Sequence, residues 1–132
     1  MSMLILTIRT DKPEAELGLY TDEKQLVYEI WPAHRQLAET IHLKINTLLK
    51  EQQHRLQDLE GIVAFSGPGS FTGLRIGLTV ANTLAYALNV PVAGMSDPGW
   101  LEAGIAKLHN GGGTRLALPE YGADVHITPQ KK

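Results

Sequence analysis

Blocks of apolar and polar residues alternate along the chain, and they predict strands in its first third. Met3–Ile8 is a continuous apolar run, which is typical of a buried strand. Residues 15–20 and 25–31 predict two further strands, because the polar segment 21–24 between them has the length of a hairpin turn. Pro32 ends this stretch. We therefore expect a three-stranded antiparallel meander at the start of the fold.

The rest of the chain alternates between helices and strands. A helix is predicted from about residue 34 to 52, with an apolar stripe on one side and Lys44 on the side expected to face water. Residues 62–65 predict a buried strand, and the apolar run that reaches Leu88 without an internal proline predicts a second helix. Val90–Met95 predicts a fifth strand, and a shorter third helix follows. The apolar stripe of the first helix consists of Leu37, Ile41, Ile45 and Leu48.

A row of small residues runs along the second helix. Gly73, Gly77, Ala81 and Ala85 are each four positions apart, so that they lie on the same side of successive turns. A glycine inside a helix costs about 1 kcal/mol relative to alanine. Two glycines in one row therefore indicate that another backbone approaches closely. Either the chain's own sheet or the helix of a partner satisfies this pattern.

The order of the elements predicts the fold class. Three strands followed by helix, strand, helix, strand and helix is the order of the ribonuclease-H-like fold of the actin and sugar-kinase superfamily. We expect an α/β fold in a single domain over residues 1–109, with a mixed five-stranded sheet and about three helices. Residues 110–132 form a glycine-rich break and a tail of little periodicity. This tail is expected to be either mobile or laid across a neighbouring surface of the sheet.

The composition of the chain excludes several classes of protein. The 132 residues are 43% hydrophobic and 20% charged, which is typical of a globular domain. A net charge of −2 provides no basic surface for nucleic acid. Without cysteine the chain has no disulfides and no thiolate metal site. No apolar stretch approaches the roughly 20 residues that span a bilayer, and no leader pattern is present, so we expect a cytoplasmic protein.

The glycine loop and the segments beside it carry a family resemblance. The sequence GPGSFTGLRIGL at residues 67–78, followed by an alanine-rich helix and NVPVAGMS, resembles the TsaB (YeaZ) family. That family provides the non-catalytic dimerisation subunit for synthesis of N6-threonylcarbamoyladenosine, next to the anticodon of tRNA. The resemblance covers about Met3 to Leu108, and the tail from Ala117 resembles the tails of some relatives. Complete family members have a second domain of the same fold between these regions, which the resemblance implies is missing here.

The resemblance implies a non-catalytic scaffold rather than an enzyme. Its expected partner is a TsaD-like catalytic subunit in a heterodimer, with TsaE as a further partner and a homodimer as the form of the lone chain. Contact with tRNA is expected only through the complex, and no contact with a membrane. The relatives dock through the first two helices. The resemblance thereby implies a partner surface of Leu37, Ile41, Ile45, Gly73, Gly77, Ala81 and Ala85.

The turn after the first strand departs from the family pattern. Relatives have Asp-Thr-Ser where this chain has Arg9-Thr10-Asp11, and in the superfamily a carboxylate at this place helps to hold the metal of a bound nucleotide. An arginine offers no lone pair to Mg²⁺. We therefore expect no cofactor and no catalytic residue.

A second class of function remains open at the glycine loop. Backbone N–H groups of Gly67, Gly69 and Ser70 could face an anion at a helix N-terminus, which would make the chain a small nucleotide- or anion-binding regulatory module. A phosphate-binding P-loop ends in Gly-Lys-Ser/Thr, whereas here Gly73 is followed by Leu74. The histidines do not have metal-ligand spacing, and no metal site is expected.

Overall fold

Five strands and three α-helices follow one another in the order that the sequence predicts. The computed structural model describes residues 2–33, 36–69, 71–96 and 98–118. A short 3₁₀ turn at Leu56–Asp58 precedes the fourth strand. The elements are β1 Leu4–Arg9, β2 Glu14–Thr21, β3 Lys24–Pro32, α1 Leu37–Glu51, β4 Gly61–Phe65, α2 Phe71–Leu88, β5 Val92–Met95 and α3 Trp100–His109.

The strands form one mixed sheet in the order β3-β2-β1-β4-β5. The first three strands are antiparallel, and β4 pairs in parallel with both β1 and β5. This topology confirms the predicted ribonuclease-H-like α/β fold with its five-stranded sheet and three helices. The fifth strand begins at Val92, two residues later than predicted, and the predicted first helix begins at Leu37 in the described residues, since 34 and 35 lie outside them.

Helices cover the middle of the sheet on both faces. A Cβ built on Gly104 of α3 would collide with Val63, and one built on Gly61 would meet Leu108 of α3. Side chains alternate along β4, and all five of its residues are buried, so that α2, which also contacts β4, covers the opposite face. The central strands are therefore enclosed on both sides, which is why they are apolar without alternation.

Lys44 ties α1 to the outer strand β3. Its ammonium lies 2.5 Å from a carboxylate oxygen of Glu29 and 5.3 Å from the centre of the Trp31 ring. The sequence predicts that Lys44 faces water. This prediction is wrong for most of the side chain, because only about a third of it is exposed.

The described part of the tail packs against the domain. Thr114 forms an antiparallel bridge with Val92 of β5, and Ala117 is buried. The tail is expected from the sequence to be either mobile or laid across a neighbouring surface of the sheet. Residues 114–118 lie along the edge of the sheet, which agrees with the second expectation. The division of the chain at residue 109 stays a prediction. In the part of the chain that is described, no helix has the length and apolarity needed to cross a bilayer.

Candidate partner-binding surface

The predicted partner residues face the chain's own fold. Leu37, Ile41, Ile45, Ala81 and Ala85 are buried in the hydrophobic core, with at most 5% of their surface exposed. Gly73 and Gly77 face the turn between β1 and β2. A side chain enclosed in its own core cannot contact a partner that docks on the folded chain. The assignment of these seven residues to a partner surface stays a prediction, and their inward position disfavours it.

Thr10 explains the two glycines of the row. A Cβ at Gly73 would collide with the carbonyl oxygen of Thr10, and a Cβ at Gly77 would collide with its hydroxyl. That hydroxyl donates a hydrogen bond of 2.6 Å to the carbonyl oxygen of Gly73. The close backbone approach that the sequence predicts is therefore made by the β1–β2 turn of the same chain.

An open groove lies between the other sides of α1 and α2. It has a volume of about 350 Å³, and the described residues that line it include Arg75 among apolar and hydroxyl-bearing side chains. Thr72 and Thr79 of α2 and His42 of α1 are exposed there. The residues that line the groove are Ala38, His42, Thr72, Arg75, Ile76, Thr79 and Val80. This groove is an exposed surface to which both helices contribute.

Sequence reasoning missed the groove, although a signal for it exists. Thr72, Thr79 and Thr83 recur along α2 at helical spacing and are exposed, so they mark a polar side opposite the row of small residues. The prediction followed the row because two glycines are the rarer feature of a helix. In this chain they mark the inward side.

The carboxyl end of β1 forms an ion pair where the superfamily holds its metal. The guanidinium of Arg9 donates two hydrogen bonds to the Asp11 carboxylate, of 2.7 and 3.2 Å, and lies 3.9 Å above the Phe65 ring. The hydrogen bonding to Asp11 raises the pKa of Arg9 above its ordinary value. The Asp11 carboxylate is already paired with the Arg9 guanidinium, and a guanidinium cannot bind a metal ion. These residues therefore do not fit a nucleotide-bound Mg²⁺.

Glu16, which lies close to this ion pair, also has partners within the chain. Glu16 accepts a hydrogen bond of 2.6 Å from the Tyr28 hydroxyl and lies 3.2 Å from the ammonium of Lys12. Burial, followed by the bond to Glu16, raises the pKa of Tyr28. Among the residues that the structure describes, no group of three or more His, Asp or Glu side chains is placed to hold a metal ion.

The glycine loop lies between β4 and α2. Gly67 has a φ of 117°, a conformation that favours glycine, and Ser70 lies outside the described residues. A Cβ on Gly69 would lie 3.3 Å from a carboxylate oxygen of Asp11. Because Asp11 is paired with Arg9, the two side chains together add no net positive charge beside the loop that would attract an anion. Anion binding by Gly67, Gly69 and Ser70 stays a prediction.

Comparison with known proteins agrees with the fold. A family model described as "TsaD: tRNA N6-adenosine threonylcarbamoyltransferase" matches residues 31–108. The tRNA threonylcarbamoyladenosine biosynthesis protein TsaB of Bacillus subtilis (strain 168) is 33% identical over 94 residues, which are 71% of this chain and 41% of that protein. The chain belongs to the TsaB (YeaZ) family. The family resemblance of the glycine loop is thereby confirmed.

Two further proteins show how much of the chain is similar to known proteins. The solved structure of YeaZ from Pseudomonas aeruginosa superposes with a TM-score of 0.67 and 28% identity, over 72% of this chain and 44% of that one. The tRNA N6-adenosine threonylcarbamoyltransferase of Geotalea daltonii is 34% identical over 82 residues, which are 62% of this chain and 24% of that protein. The chain spans less than half the length of each of these relatives.

Proposed function

We propose that this TsaB-family chain is a non-catalytic subunit in the synthesis of N6-threonylcarbamoyladenosine in tRNA. It pairs with a TsaD-like catalytic subunit and places that subunit for its reaction in the cytoplasm. The family match supports the pathway, and the open groove between α1 and α2 supports the docking role. TsaE as a further partner, a homodimer of the lone chain and contact with tRNA only through the complex belong to the same proposal.

The groove is the observation that carries the docking role. It is lined by Ile76 and Val80 together with exposed threonines and His42, and none of the described residues that line it is a carboxylate. Burying such a surface costs little desolvation, because few charges must leave water. A two-helix surface of this kind fits a matching pair of helices. The likeness of this chain to a threonylcarbamoyltransferase supports a partner that offers such a pair.

The absence of a catalytic role rests on the carboxyl end of β1. Arg9 and Asp11 neutralise each other there, and Glu16 is held by Tyr28 and Lys12. Neither carboxylate is left to hold a metal or to accept a proton from a substrate. The chain therefore acts through binding.

The first prediction tests the docking surface with a substitution in the groove. Thr79→Arg places a long charged side chain where a partner helix would pack, so binding to a purified TsaD-like subunit from the same organism should weaken at least tenfold, about 1.4 kcal/mol. Calorimetry measures the affinity. The thermal midpoint should change little, because Thr79 is exposed.

Thr47→Arg is the matched control. Thr47 is exposed on α1 and lies nine positions after Ala38, about two and a half turns, which places it on the opposite side of the helix. Its substitution should leave affinity unchanged. If both variants bind equally well, the groove is not the docking surface. If the unchanged chain does not bind the subunit at all, the proposed function itself fails.

The second prediction separates a scaffold from a nucleotide-binding module. Calorimetric titration of the chain with ATP and Mg²⁺ should give no heat beyond dilution, because Arg9 occupies Asp11. Binding in the micromolar range would establish the anion-binding alternative instead.

A further inference from the structure

The outer edge of β5 is closed by a segment of the tail. β5 is the last strand of the sheet in the described part of the chain, so that one of its edges has no neighbouring strand there. Thr114 donates its backbone N–H to the Val92 carbonyl, and Val92 donates its own to the Thr114 carbonyl, each at 2.8 Å. At this one residue pair, the tail is hydrogen-bonded to the edge in the same way as an added antiparallel strand.

Asn82 of α2 holds the same segment three residues further on. Its side-chain N–H₂ donates to the Ala117 carbonyl at 2.9 Å, and its side-chain oxygen accepts from the Ala117 N–H at 2.7 Å. One amide side chain therefore pairs with both backbone groups of Ala117. A Cβ built on Gly94 would lie 3.0 Å from the Ala117 methyl, so the segment rests directly on the backbone of β5.

The attachment depends on hydrogen bonds more than on burial. Ala117 is 4% exposed, but the large side chains beside it, Leu116 and Leu118, are 56% and 69% exposed. Little apolar area is therefore enclosed by the segment. An element with few buried apolar contacts opens locally at low cost.

We propose that residues 114–118 are a strap that covers the free edge of β5, and that Asn82 is the latch that holds the strap closed. An uncovered edge strand presents unpaired N–H and carbonyl groups to other chains. The strap occupies those of Val92 and shields Gly94. When the latch is released, the edge opens and the chain self-associates. This role is independent of the proposed docking to a catalytic subunit.

The test is Asn82→Ala in the full chain, followed by amide hydrogen exchange and sedimentation velocity. Two hydrogen bonds are lost, so the amides of Thr114, Ala117 and Val92 should exchange about tenfold faster. Self-association that grows with protein concentration should accompany the change. Asn46→Ala, the same substitution at an exposed position of α1, is the control and should alter neither measurement.

Thr114→Pro opens the strap from its other end. Proline removes the N–H that Val92 accepts, so this variant should also accelerate exchange of the Val92 amide and promote association. It provides the test if Asn82→Ala does not fold. The proposal is overturned if neither variant accelerates exchange at Val92, or if the strap is released and the variant associates no more strongly than the unchanged chain at every concentration.

Discussion

Thr10 shows how one residue determines the sequence of a helix that lies far along the chain. It is 2% exposed and is enclosed by the first turns of α2. The third prediction is that Gly77→Ala destabilises the isolated chain by about 1–3 kcal/mol, because the new methyl collides with a hydroxyl already bonded to Gly73. At an unobstructed helix position the same change would stabilise by about 1 kcal/mol. Urea unfolding measures the difference.

Two further glycines provide the comparison. Gly73→Ala should cost more than Gly77→Ala, since the obstacle is the backbone oxygen of Thr10, which cannot rotate away. Gly99→Ala, at a position with no heavy atom within 4 Å of the added methyl, should cost almost nothing. Adding Thr10→Ala to Gly77→Ala should recover part of the loss. A stabilised Gly77→Ala variant would show that the turn does not rest on the helix.

Arg9 shows what the sequence can and cannot predict about a single residue. The sequence alone excludes Arg9 as a metal ligand, because a guanidinium has no lone pair to offer. The sequence does not predict which residues Arg9 contacts in the fold. Phe65 comes close to Arg9 because β1 and β4 are adjacent in the sheet, and strand order cannot be derived from the residue itself.

At the scale of elements, α1 is joined to β3 by one lysine. The fourth prediction is that Lys44→Ala lowers the free energy of unfolding by about 1 kcal/mol, through loss of the pair with Glu29 and of the contact with the Trp31 ring. High salt should reduce the effect, since the pair is partly exposed. Lys50→Ala, at an exposed position of the same helix, is the control. Equal losses in the two variants would contradict a specific tie.

The elements themselves were predictable, whereas their contacts were not. Periodicity identified each strand and helix within a few residues, because apolar spacing follows directly from the geometry of each element. It also placed Gly73 and Gly77 on one side of α2. Periodicity does not say what covers that side, so that the chain's own sheet and the helix of a partner were both consistent with it. The burial of Ala81 and the contacts of Gly73 and Gly77 with Thr10 favour the chain's own fold.

At the scale of the whole molecule, the tail contributes to the fold as far as it is described. The fifth prediction compares a chain that ends at Leu118 with one that ends at Gly113. The first keeps the hydrogen bonds between the strap and the domain and should retain the thermal midpoint within a few degrees. The second loses them and should melt at least ~5 °C lower. Equal midpoints, measured by circular dichroism, would mean that the strap adds nothing to stability.

Asn82 holds the strap through the main chain of Ala117, and every amino acid except proline offers the same two groups there. Leu116 and Leu118 are exposed over more than half of their surface. A residue larger than alanine at position 117 would meet the backbone of Gly94, so this position alone is restricted by size. The outer face of the strap is therefore free to diverge in sequence, and a new binding specificity could arise on it without loss of the fold.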